Sequence, residues 1–187
     1  MAKNYTITNV VAAGNLGLEL DLYKLPSKFK NIEYEPEQFP GAILKFNKPK
    51  ATLLVFKNGK IVIVGCKDRK TIEAAIIKAY ELLAPVASKI YKKLNRKKLD
   101  YEVTNMVAAA DLEMEMDLFK VTMGVSEDIE YEPEQFPGAI LKLRDPKISI
   151  LVFKNGKLII AGGRTKAEIE KALVKVKKIL SKFAMKK

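Results

Sequence analysis

Three observations predict an α+β fold made of two copies of one antiparallel unit. A 13-residue block occurs twice without change, short β-rich runs alternate with turn signals, and each copy closes on an amphipathic helical run. The block EYEPEQFPGAILK spans Glu33 to Lys45 and recurs from Glu130 to Lys142 at an offset of 97. LVFKNGK at Leu54 to Lys60 returns at Leu151 to Lys157 with the same offset. Upstream, Thr8-Asn9-Val10-Val11-Ala12 matches Thr104-Asn105-Met106-Val107-Ala108 at an offset of 96, so the second copy gained one residue between the blocks. Two copies of about 90 residues are too long and too few for a solenoid, whose units run about 20–50 residues. They predict two pseudo-symmetric repeats, residues 1–96 and 97–187, in one continuous body.

Each element of the first copy follows in order. Tyr5 to Ala13 is β-rich and places Tyr5, Ile7, Asn9 and Val11 on one face. Leu18, Leu22 and Leu25 predict a short helix that stops near Pro26. Ile32 to Tyr34 is a short strand, and Pro36 with Pro40-Gly41 marks a protruding turn. Ala42 to Phe46 is a strand turned by Asn47-Lys48-Pro49, and Thr52 to Phe56 is the next. Asn58-Gly59 signals a hairpin because both residues tolerate positive φ. Ile61 to Val64 follows. Ile72, Ala75, Ile76, Ala79, Tyr80 and Leu83 then form the apolar stripe of a helix over 71–83. Pro85 ends or kinks it, and Val86 to Leu94 is predicted helical again. The second copy repeats the order and ends on a helix over Lys166 to Phe183, for ten strands and about four helices. Short turns between sequential strands imply antiparallel pairing.

The strands raise a packing question. Antiparallel strands with one wet face alternate apolar and polar residues. Ala51 to Phe56, Ile61 to Val64, Ile148 to Phe153 and Leu158 to Ala161 are apolar on both faces instead. One long and one short helix per copy cover about one face. The other face is either an exposed apolar binding surface or a second core closed by dimerisation or a ligand cavity.

Composition excludes several classes. Hydrophobic residues make up 48% of the 187, enough for a core. No apolar run reaches the roughly 18 residues of a membrane span, and the opening MAKNYTITNV has no signal-peptide pattern. An intracellular protein is expected, without a membrane partner. Cys66 is the one cysteine and there is no histidine, so an internal disulfide, a zinc site built from cysteines and Ser-His or Cys-His catalysis are excluded. Glu33, Glu35 and Glu37 have loop spacing with no histidine or glycine-rich phosphate cradle, so no enzyme, metal or cofactor is expected. The net charge of +12 favours a polyanionic partner. It is uneven: residues 1–96 hold 17 Lys and Arg against 8 Asp and Glu, whereas residues 97–187 hold 17 against 14.

YEPEQFPG followed by LVFKNGK, once per copy, resembles the TATA-binding protein family in its archaeal form, over nearly the whole chain. The resemblance implies a saddle: a ten-stranded curved antiparallel sheet with helices on its convex face and DNA on its concave one. It also settles the packing question, since the uncovered apolar face becomes the surface for an A·T-rich minor groove. By motif, Phe39, Phe56, Phe136 and Phe153 are the intercalating wedges that kink the duplex. Asn9 and Asn105 match the paired asparagines at base edges, with Val11 and Val107 two residues on. Leu54, Val62, Leu151 and Ile159 match apolar groove contacts. Lys45 and Lys142 stand where arginine is usual and, with Lys60 and Lys157, imply phosphate contact.

Three features depart from the family pattern. Val64 and Ala161 occupy groove positions where threonine is common, and neither can donate a hydrogen bond. Lys57-Asn58 and Lys154-Asn155 replace small hairpin residues. The chain is basic where many archaeal members are acidic.

The implied function is a general transcription initiation factor that bends the TATA promoter element and recruits transcription factor B and, through it, RNA polymerase. Transcription factor B would dock on the loop of Glu132, Glu134 and Gln135, beside the acidic residues Asp111, Glu113, Glu115, Asp117 and Glu127-Asp128 of the second copy. The expected state is a monomer on DNA, with a homodimer off DNA as the alternative, in the cytoplasm on the archaeal chromosome. Rival readings are a TBP-like nucleic-acid module without promoter recognition and a carrier of small ligands or lipids. The basic run Lys89 to Lys98 is assigned to the first long helix and the connection.

Overall fold

A computed structural model describes residues 4–185. The chain divides into two compact units: Asn9–Thr104, and the described residues up to Thr8 together with the chain from Asn105 onward.

In the first unit, β1 (Tyr5–Asn15, which enters this unit at Asn9), β3 (Ile32–Glu33), β4 (Ala42–Phe46), β5 (Ala51–Val55) and β6 (Lys60–Cys66) form a sheet in the order β3-β4-β5-β6-β1. Every pairing is antiparallel. In the second unit β8 (Tyr101–Asp111, which enters this unit at Asn105), β9 (Asp128–Glu130), β10 (Gly138–Leu143), β11 (Ile148–Phe153) and β12 (Lys157–Gly163) form the order β8-β12-β11-β10-β9, again antiparallel. These ten strands, with four α-helices, make the fold α+β, with the same meander written twice.

The alternation missing from the sequence is present in burial. Along β5, Ala51, Leu53 and Val55 are buried while Thr52 and Leu54 are half-exposed. Along β11, Ile148, Ile150 and Val152 are buried while Ser149 is exposed and Leu151 half-exposed. One face of each sheet therefore belongs to the core and the other remains open.

The long helices supply the core's second layer. α2 (Arg69–Leu83) buries Ile72, Ala75, Ile76, Ala79 and Leu83, and α4 (Lys166–Leu180) buries Ile169, Ala172, Val176 and Leu180. Each fully buried Ile or Leu contributes about 1.5–3 kcal/mol. Both helices are capped. Asp68 Oδ1 accepts from Thr71 N at 2.7 Å, and Thr165 Oγ1 from Glu168 N at 3.2 Å. Burial, with help from the Asp68 carboxylate, pushes the Cys66 thiol up, which keeps it protonated and inert.

Two predicted helices are corrected. Leu18 to Leu25 is not one helix: Leu18–Glu19 is a strand (β2), Leu22–Lys24 is a 3-10 turn, and α1 (Leu25–Lys28) starts where the sequence predicted a stop. Pro26 lies in the first turn of α1, where its missing N–H costs nothing. Val86 to Leu94 does not return to helix. A 3-10 turn at Ala84–Val86 follows α2, and β7 (Lys89–Ile90) pairs antiparallel with β2, Leu18 opposite Ile90. The Lys89 to Lys98 run is thus an extended strap, not part of a helix. In the second unit α3 (Leu118–Gly124) is the short helix, capped by Asp117, and a single Met116–Ala184 bridge stands where β2 and β7 pair in the first.

Candidate nucleic-acid interface

The open face of each sheet is built of cross-strand rows. In the first unit Ile43, Leu54, Val62 and Ala13 stand opposite one another in turn, as do Lys45, Thr52 and Val64. In the second unit the corresponding rows are Ile140, Leu151, Ile159 and Ala109, then Lys142, Ser149, Ala161 and Val107. Lys60 and Lys157 begin β6 and β12 on the same faces as Val62 and Ile159. Seven of the ten proposed groove residues lie in these rows, the four proposed phosphate lysines lie on the same faces, and Asn9, Val11 and Asn105 are half-exposed on the alternating side of β1 and β8 that also carries Ala13 and Ala109. Thr52 and Ser149 were missed. They are the hydroxyl residues directly opposite Val64 and Ala161, and strand alternation with Leu54 and Leu151 was the signal that could have found them.

Asn9 and Asn105 are tied to glycine bulges. The register of β1 against β6 slips between Val10 and Ala12, and that of β12 against β8 slips between Ala161 and Gly163. Gly65 at φ +80° and Gly162 at φ +108° make these slips, in a region other residues resist. The freed Gly65 N–H donates to Asn9 Oδ1 at 3.1 Å, and Gly162 N–H to Asn105 Oδ1 at 2.9 Å. Each amide oxygen is thereby engaged, and each Nδ2 is left as the donor for a partner. A surface presenting donors fits the acceptor-only A·T edge of a minor groove.

The phenylalanines form two equivalent pairs. Phe39 and Phe56 meet edge to face with centroids 5.8 Å apart and planes at 62°; Phe136 and Phe153 do so at 5.8 Å and 61°. A glycine makes room for each pair. A Cβ on Gly41 would lie 2.8 Å from Phe39 Cε1 and 3.2 Å from Phe56 Cε1; on Gly138 the distances are 2.9 and 3.1 Å to the second pair. All four rings remain half-exposed. Phe56 and Phe153 open hairpins closed by Gly59 N to Phe56 O at 2.9 Å and Gly156 N to Phe153 O at 3.0 Å. Only the glycine of each Asn-Gly pair takes positive φ. The asparagine side chains instead accept from Lys60 N and Lys157 N at 3.2 Å each.

Lysines set the electrostatics. Lys45 pairs with Glu33 at 2.8 Å and Lys142 with Glu130 at 2.6 Å, all four side chains exposed. The hydrogen bond and charge of Glu130 push the Lys142 ammonium above its ordinary range. Glu132, Glu134 and Gln135 are exposed on a turn in which Glu132 O accepts from Gln135 N and Phe136 N at 2.9 Å each. The same turn forms at Glu35, at 3.0 Å. Beside the second turn, Phe119 of α3 packs edge to face on Tyr131 with centroids 5.1 Å apart.

Among the described residues, no cluster of three His, Cys, Asp or Glu could hold a metal, and no helix is long and apolar enough to cross a membrane.

Comparison with known proteins gives one result. The sequence model described as "Transcription factor TFIID (or TATA-binding protein, TBP)" matches residues 4–86 and 100–183, once per repeat. The TATA-box-binding protein of Picrophilus torridus is 38% identical over 184 residues, covering 98% of this chain and 97% of its own. That of Thermococcus sibiricus is 40% identical over 179 residues, covering 96% and 94%. The solved structure of Methanococcus jannaschii TBP superposes with a TM-score of 0.84 at 36% identity, over 96% of this chain and 99% of that one.

Proposed function

Because this chain belongs to the TATA-binding protein family, we propose that it binds the minor groove of an A·T-rich promoter element as a general transcription initiation factor. The observation that carries the reading is the donor-bearing Asn9 and Asn105 amides, set by glycine bulges among apolar rows on both open faces. Apolar rows pack against an opened groove floor, and the amides donate to its N3 and O2 acceptors. Phe39 with Phe56, and Phe136 with Phe153, enter base steps at the two ends of the site and kink the duplex. Lys45, Lys60, Lys142 and Lys157 take the phosphates. The contacts made on binding offset the cost of deforming the duplex, and no bond is made or broken.

The exposed Glu132-Glu134-Gln135 turn presents acidic and amide groups to a basic partner, and transcription factor B is the one we assign there, with RNA polymerase following. Residues 1–96 and 97–187 each supply half of the DNA contact.

Titration with fluorescent duplexes tests this reading. An A·T-rich duplex should bind at least tenfold more tightly than a G·C-rich one of equal length at matched salt, a preference of about 1.4 kcal/mol or more. Equal affinity for the two would reduce the interaction to a generic cation effect.

A further inference from the structure

After its long helix the first repeat continues into a cationic strap. The ten residues Lys89 to Lys98 hold Lys89, Lys92, Lys93, Arg96, Lys97 and Lys98 and no carboxylate. All six are exposed. Arg96 is ion-paired with Glu81, and the Lys89 ammonium stands 4.8 Å over the Tyr91 ring. Among the described residues, Lys92, Lys93, Lys97 and Lys98 have no carboxylate partner.

The strap is held in place beside the Phe56 hairpin. Gly17 O accepts from Tyr91 N at 2.8 Å and Lys92 N at 3.2 Å. Gly17 has φ +68°, and a Cβ there would lie 2.9 Å from Lys92 Cβ and Lys92 O. Leu18 pairs with Ile90, and Leu18 O lies 2.3 Å from where a Gly59 Cβ would be. Leu16 N donates to Gly59 O and Leu20 N to Lys57 O, both at 2.9 Å. Tyr91 therefore lines the same groove of about 640 Å³ as Phe56, Lys57, Lys60 and Val62.

In the second repeat the same backbone frame carries two added carboxylates, Asp111 and Glu113, where the first has Asn15 and Gly17. Leu112 N donates to Gly156 O at 3.0 Å and Met116 N to Lys154 O at 2.8 Å. The groove beside Phe153 and Lys157 is lined by Asp111 and Glu113. Glu115 O accepts from Met185 N at 2.8 Å, as Glu19 O accepts from Ser88 N at 2.8 Å in the first repeat.

We propose that Lys92, Lys93, Lys97 and Lys98 form a second phosphate-binding surface, for duplex DNA flanking the A·T-rich element on the side of the first repeat. The proposal rests on the promoter-binding reading above. It assigns sequence-independent contact to one end of the protein, so flanking duplex favours one orientation of a near-symmetric body on a near-symmetric site. The chemistry that selects this partner is a row of unpaired ammonium groups on a fixed backbone facing a regular polyanion.

The test compares salt dependence on two duplexes. One ends at the A·T-rich element; the other extends it on both sides by one helical turn, about 10 base pairs. Each phosphate neutralised adds about 0.9 to the slope of log K against log salt. The wild type should show a slope about 2–4 units steeper on the longer duplex. Lys92→Gln/Lys93→Gln/Lys97→Gln/Lys98→Gln should abolish the difference and leave binding to the short duplex intact. The charge-matched control Lys166→Gln/Lys177→Gln/Lys178→Gln/Lys182→Gln should keep it. Independently of any variant, lysine acetylation of the wild type read by mass spectrometry should show Lys92, Lys93, Lys97 and Lys98 protected by the long duplex and not by the short one.

Equal slopes on the two duplexes, equal loss in the control, or no protection would overturn the proposal while leaving the promoter reading standing. Failure of the wild type to prefer the short A·T-rich duplex over a G·C-rich one would remove that reading, and the strap proposal with it.

Discussion

Asn105 Oδ1 accepts the Gly162 N–H at 2.9 Å, so a bulge in one strand orients a side chain in the next. The Asn9–Gly65 pair repeats the arrangement at 3.1 Å. Asn105→Asp keeps the acceptor that Gly162 needs and removes the outward donors. It should leave thermal unfolding nearly unchanged and cost about 1–3 kcal/mol in affinity for an A·T-rich duplex. Asn9→Asp should do the same. Calorimetric unfolding with parallel DNA titration checks both halves of the expectation. An unchanged affinity would mean that the amide donors do not reach the bases.

Gly65→Ala and Gly162→Ala should fail for a different reason. Space is available at both positions: nothing lies within 4 Å of a Cβ on Gly65, and the nearest atom to one on Gly162 is 3.6 Å away. The cost is conformational, since φ of +80° and +108° strains an L-residue by on the order of 1–3 kcal/mol. Denaturant unfolding should register that loss, and DNA affinity should fall with it because the asparagine loses its anchor.

Glu33 and Glu130 hold ion pairs with Lys45 and Lys142, the lysines proposed to take phosphates. Glu33→Gln and Glu130→Gln free an ammonium without changing shape. Each should tighten duplex binding at low salt and steepen the salt dependence by up to about 0.9. Surface ion pairs of this kind contribute only about 0–1 kcal/mol to folding, so stability should barely move. Weaker binding by these variants would place the carboxylates among the groups that help DNA bind.

The Lys171 hydrogen bond and charge hold the Asp145 carboxyl below its ordinary value. A carboxyl lowered on folding stabilises the native state above its unfolded pKa, and that contribution is lost as pH falls through the lowered folded value. Lys171→Met should return Asp145 toward the ordinary carboxylate range and flatten the acid limb of the stability curve. Titration of the Asp145 side chain by NMR measures the shift directly.

The order of strands and long helices was legible because duplication wrote it twice and because turn residues bound each strand. The Asn58-Gly59 and Asn155-Gly156 hairpins fell where the dipeptides stand, although only glycine took positive φ. What misled was apolar spacing without packing context. Leu18, Leu22 and Leu25 repeat like a helix, but Leu18 is drawn into extended pairing with Ile90 under the Gly59 hairpin. Pro26 reads equally as a helix stop or a first-turn residue, and only the tertiary frame chooses. Val86 to Leu94 has helical composition, yet Gly17 O takes the Tyr91 and Lys92 amides and holds that segment extended. The asparagines stood out by symmetry. Their bulge partners did not, because Gly65 and Gly162 lie 56 and 57 residues away and only the fold brings them near.

The central claim is that the two phenylalanine pairs bend promoter DNA. Energy transfer between dyes at the ends of an A·T-rich duplex tests it most directly. Saturating wild-type protein should shorten the end-to-end distance markedly. Phe56→Ala and Phe153→Ala should each restore much of the free length and weaken binding by tenfold or more, about 1.4 kcal/mol. A duplex that binds with its end-to-end distance unchanged, or a bend that survives both substitutions, would contradict the account.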